Sequence, residues 1–174
     1  MEFAMVAPVL FLLLFGIIDF GVVYSRQLGV RTSTREVTRK AVIGQFGGDP
    51  SCVMTGLTPS TNEPLKEIIC SVKSDIPIDA ADVRVQVMFV DSNGDGTADH
   101  THYDDLMVCT MAQMHSATGF FGPVLNSNAH KARLTMLLEK APDIKPSIPT
   151  LVAGGEAPLT GQDWAFCSPS AGPV

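Results

Sequence analysis

Charge is nearly missing from the start of this sequence. Between Phe3 and Tyr24 the 22 residues FAMVAPVLFLLLFGIIDFGVVY carry one Asp, Glu, Lys or Arg, Asp19. A helix of that length rises about 33 Å and matches a hydrocarbon core of about 30 Å. Basic residues are also missing ahead of the run, since the chain opens Met1-Glu2-Phe3-Ala4-Met5 with an acid and no base. A signal peptide wants a basic region there and an apolar core of about 7–15 residues, so the run reads as a retained membrane-spanning helix.

Other absences narrow the function. There is no G-x-S-x-G elbow, P-loop, H-E-x-x-H or dinucleotide fingerprint, so no enzyme class is indicated. Clustered Lys and Arg are lacking beyond residue 48: seven basic groups face fifteen acids, a net −8, against five and three, a net +2, in residues 1–48, together the −6 of the whole chain. An acidic head of this kind excludes nucleic acid as a partner, because phosphate contacts need basic clusters. No C-x-x-C pair occurs among the four cysteines, Cys52, Cys70, Cys109 and Cys167, which removes a zinc ribbon or a thioredoxin-type motif. An even count beside a membrane anchor fits two disulfides in an oxidising compartment. Of the three pairings, Cys52–Cys70 and Cys109–Cys167 is preferred, the first closing a local loop and the second tying down the C-terminal tail.

What is present divides the chain in three: a transmembrane and stalk helix over 1–46, a head over 47–141 and an irregular, proline-rich tail over 142–174 packed on the head. Residues 25–46 contain no proline and place Val23, Val30, Val37 and Ala41 on one stripe, so the helix runs on past the span. Arg31, Arg35 and Arg39 recur on another face as a solvated basic surface within reach of anionic lipid headgroups. Gly44, Gly47, Gly48 and Pro50 stop the helix. A second helix is predicted from Glu63 to about Ser74, capped by Asn62, with Pro64 in its first turn and Leu65, Ile68, Ile69 and Val72 as its apolar stripe. Three strands are expected at 83–90, 106–115 and 132–138, the first with a clean alternation of Val83, Val85, Val87 and Phe89. Helices followed by strands imply an α+β head, an antiparallel sheet of about three strands covered on one side by a helix. Trp164, Phe166 and Cys167 are expected to pin the tail to it.

The loop D-S-N-G-D-G-T-A-D at 91–99, between two predicted strands, supplies oxygen ligands at alternate positions with a glycine at position six. Asp91, Asn93, Asp95, the Thr97 carbonyl and Asp99 thus form a candidate calcium site of EF-hand type, with Gly96 at the sharp turn. Position twelve is His102 in place of Glu, and Asp104 or Asp105 would have to substitute. A polar hairpin turn draws on the same residues. The His100-x-His102 pair is one ligand short of a catalytic zinc set, and His115 and His130 stand alone. Within the apolar run Asp19, and at its edge Glu2, are functional candidates because a charge near hydrocarbon is costly.

The stretch Met1-Glu2-Phe3-Ala4-Met5-Val6-Ala7-Pro8-Val9-Leu10, with Gly16-Ile17-Ile18-Asp19-Phe20-Gly21 closing the run, resembles the N-terminus of TadE-like pseudopilins of tight-adherence pili. Those proteins show a V-E-F-A-L-V-x-P-type opening and a G-I-I-E-F-G-type close; Met1 stands for the usual Val and Asp19 for the usual Glu. The resemblance implies a minor pilin or pseudopilin of a type IV-like Tad pilus, held in the bacterial inner membrane with an extracytoplasmic head. Its partners would be other pilin and pseudopilin subunits, the inner-membrane assembly machinery and membrane lipid, with Glu2, Pro8 and Asp19 as assembly residues. Glu2 matches the acid that follows a prepilin-peptidase site, and it would pair with a neighbouring subunit's terminal amine in the apolar filament core. Five basic residues after the span favour a cytoplasmic head by the positive-inside rule, while the cysteines and the resemblance favour the opposite side; a basic leader upstream would restore the balance. The alternative reading is a membrane-anchored, calcium-dependent binding module.

Overall fold

A computed structural model describes residues 2–44, 51–92, 94, 96–98, 104–138 and 151–170, with side chains from Val6 onward. Helix α1 runs unbroken from Glu2 to Val42, about 62 Å at 1.5 Å per residue. Pro8 lies inside it, where the missing N–H forgoes one bond to the carbonyl four residues earlier. The helix ends as Gly44 turns left-handed at φ 67° and donates its N–H to the Ala41 carbonyl, the conformation that favours glycine after a helix. Gly47, Gly48 and Pro50, the rest of the expected stop signal, lie outside the described residues.

The two halves of α1 have different surroundings. From Val6 to Leu14 nearly every side chain is open, while Val30, Val37 and Ala41 are buried in the core of the head. This second half is therefore a wall of the head. Ser33, Thr34 and Thr38 are buried on the same face, and their hydroxyls donate to the carbonyls of Val72, Val30 and Thr34. Helix α2, Glu63–Asp75, packs beside it, with Asn62 accepting from the Leu65 N–H at its start. A single 3-10 turn, Ala80–Asp82, follows.

The sheet has four strands where three were expected. Strand β1 (Val83–Val90) pairs antiparallel with β2 (Asp105–Gln113), and β2 pairs antiparallel with β3 (Ala129–Leu137). The fourth, β4, is Gly154–Gly155 from the tail, set against Gln86 and Val87 so that the order is β3-β2-β1-β4. Two glycines carry no alternation to read, and they are there for space. A Cβ on Gly154 would stand 2.2 Å from the Thr58 carbonyl oxygen, and one on Gly155 2.7 Å from the Gln86 Cα. The tail thus belongs partly to the sheet.

Val83, Val85, Val87 and Phe89 face the helices with Leu106, Val108 and Ala112. On the opposite face Met107 and Cys109 lie under Cys167, Trp164 and Phe166 of the tail. Burial of β2 on both faces removes the need for alternation, which explains its weaker pattern beside the regular in-and-out burial of β1. Between β2 and β3 a loop contains the short helix α3, Gly122–Leu125.

Candidate assembly site on the apolar helix

The loop after β2 folds down along α1 and meets Asp19. Although Asp19 lies within the apolar run, its side chain is fully buried. One carboxylate oxygen accepts from the backbone N–H groups of Ala117 and Thr118, at 2.9 and 2.8 Å. The other accepts from the hydroxyls of Ser116 and Thr118, at 2.7 and 2.8 Å. Four donors around one carboxylate stand in for water, the condition for carrying an acid on an otherwise apolar helix.

Aromatic contacts complete the joint. Phe121 lies against Gly16, where a Cβ would still be at ordinary contact distance, 3.7 Å from the ring. Its ring centroid is 5.7 Å from that of Phe20, and the Phe120 ring is 6.2 Å from Phe15. Higher on the helix, Gln27 donates to the Lys131 carbonyl and meets His130 Nδ1 at 2.8 Å, and the Thr34 hydroxyl oxygen lies 2.9 Å from the Thr110 hydroxyl of β2. His130 is buried; burial first and the Arg26 charge second lower its pKa from 6.5. The sequence singled out Asp19 but not its partners. The signal lay in residues 116–129, SATGFFGPVLNSNA, fourteen residues with no charged group.

The other predicted residues lie apart from this joint. Pro8 faces outward on α1, and the Glu2 side chain is outside the described residues. In the 91–99 loop Asp91 accepts from the N–H of Gly94 at 2.6 Å with one oxygen and of Gly96 at 2.9 Å with the other, so its carboxylate organises the turn. Gly96 has φ 86°, as a sharp glycine turn at position six requires. Asn93, Asp95, Asp99, His100 and His102 lie outside the described residues, and no group of three or more His, Cys, Asp or Glu able to hold a metal occurs among the described ones. Asp104 accepts from the Ser92 N–H and Asp105 from the Ser92 hydroxyl, which closes the base of the hairpin.

Cys52 bonds Cys70 and Cys109 bonds Cys167. A further buried feature escaped the sequence reading: Lys73 of α2 and Glu156 of the tail form an ion pair at 2.7 Å. Lys73 also donates to the Val53 carbonyl, and Glu156 accepts from the N–H groups of Thr55 and Val85. Burial lowers the Lys73 pKa, with Glu156 acting against the shift.

With this geometry established, the family comparison bears on α1 itself. Residues 1–39 match the family model described as TadE-like protein. The N-terminal helix is TadE-like. The match takes in the exposed apolar half, Asp19 and most of the half buried in the head, and it associates the chain with the pilin-like proteins of Tad pili. No curated protein and no solved structure matches the chain. Among the described residues α1 is the one helix long and apolar enough to cross a membrane, which fits a membrane-anchored component of such a pilus.

Proposed function

We propose that this protein is a minor pilin or pseudopilin of a Tad-type pilus, anchored in the inner membrane with its head outside the cytoplasm and drawn into the pilus or its base through α1. The observation that carries the reading is the contrast within the TadE-like helix. Its second half is sealed into the head, while its first half presents an open apolar surface that includes Val9, Leu10, Leu13 and Ile17. Such a surface needs lipid or other apolar helices around it, and the head supplies neither. Two disulfides support an oxidising compartment for the head. The role is non-enzymatic: the helix packs with other pilin-like subunits and the head faces outward.

The test is Glu2→Ala in cells that make the pilus. Loss of the chain from the sheared filament fraction, with both disulfides still formed, is the expected result. Normal incorporation of the variant would sink the role given to Glu2 in assembly. A calcium-dependent function of the 91–99 loop is a second reading, favoured by the left-handed Gly96 at position six. Calorimetry on residues 25–174, a piece that keeps the core residues Val30, Val37 and Ala41, checks it: heat on adding calcium is expected, and no heat at millimolar calcium removes the reading.

A further inference from the structure

The loop that meets Asp19 carries no charged group and exposes two large apolar side chains. Its polar side chains, Ser116 and Thr118, turn inward to the carboxylate. Two large apolar side chains point outward: Phe120 is 56% exposed and Val124 63%. Most of its backbone N–H groups have partners within the protein. The N–H groups of Ala117 and Thr118 donate to Asp19. Those of Ser116, Gly119 and Phe120 donate to the side chains of Asn126, Ser116 and Thr118. Gly122, Val124, Leu125 and Asn126 donate to carbonyls within the same loop. Such internal pairing lowers the cost of bringing the loop to the membrane, where an unpaired backbone group in hydrocarbon is expensive.

Position along α1 identifies what the loop meets. The open apolar surface of the helix continues through Ile17, Phe20 and Tyr24, and the first charge beyond it is Arg26. Phe120 stands beside Phe15, nine residues from Tyr24 on the span side, or about 14 Å along the axis. If Tyr24 marks the level at which α1 leaves the hydrocarbon, as aromatic residues do at interfaces, the loop tip lies below that level. We infer that the segment 116–125 is a membrane wedge, inserting Phe120, Phe121 and Val124 among the acyl chains of the outer leaflet while Asp19 holds it from within. The inference rests on α1 crossing a bilayer. It makes the head a body seated in the membrane surface, joined to lipid at two places.

Photoreactive p-benzoyl-phenylalanine tests this in the full chain, reconstituted at low copy number in vesicles of phosphatidylethanolamine and phosphatidylglycerol. It is placed singly at Phe120, at Val124 as a second site on the loop, at Leu10 in the span and at Val53, an exposed apolar position on the head. Lipid adducts are expected at Phe120, Val124 and Leu10, and their loss at Val53. Adducts to lipid at Leu10 with none at Phe120 or Val124, or with those two sites joined only to a second copy of the chain, overturn the wedge and leave the span standing. Absence of lipid adducts at Leu10 as well overturns the span, and the wedge with it.

Discussion

Asp19 shows how one side chain decides the geometry of a joint. An acid on an apolar helix is costly when bare and acceptable when donors surround it, and here the head provides four. Asp19→Ala removes the acceptor and orphans those donors. The expected outcome is faster hydrogen exchange at the Ala117 and Thr118 amides, with the β1–β2 ladder unchanged; unaltered protection at both amides would contradict the docking role. Lys73 and Glu156 make a similar point inside the head. Breaking a buried pair by removing one partner costs about 3–5 kcal/mol, so Glu156→Ala should lower the urea midpoint sharply. Lys73→Met combined with Glu156→Leu should recover much of the loss. His130 sets a pH response. Its folded-state pKa lies below 6.5, so between the two values the unfolded chain binds more protons. Its contribution to stability is complete above pH 6.5 and falls as the pH drops below that value. His130→Gln should flatten this part of the stability profile, read from denaturant midpoints of residues 25–174.

At the scale of elements, helices and strands with one buried face were readable. Helix α2 follows its stripe of Leu65, Ile68, Ile69 and Val72, and β1 its alternation of valines, because water on one side and core on the other impose a period on the sequence. Where that contrast fails, the pattern fails. Strand β2 is covered on both faces, and β4 is two glycines chosen for close approach. Ser33, Thr34 and Thr38 read as polar yet sit in the core, since each hydroxyl is satisfied by a carbonyl before it is buried. The Asp19 joint was half legible: the acid stood out in an apolar run, but its partners lie 97 to 99 residues away and no local period links them. The disulfides act at this scale too. Cys109–Cys167 fastens the tail to β2 across 58 residues, and loss of a native disulfide in a small domain costs about 2–5 kcal/mol. Cys167→Ser should expose the tail to limited proteolysis well before the Cys52–Cys70 loop is cut.

For the whole molecule, the head and the apolar helix form one body. Half of α1 is core and half is open, with the Asp19 joint between them, so movement of the helix into a new setting carries the head along. That coupling suits a subunit which leaves lipid for the company of other helices, where packing of side chains takes over from acyl chains. Ile17, 73% exposed, lies on the surface that the proposed assembly would bring against other subunits. Photo-crosslinking from that position in piliated cells therefore tests the account most directly. Adducts to other pilin-like subunits in the sheared filament fraction are the predicted result; adducts to lipid alone, with the chain absent from that fraction, would contradict it.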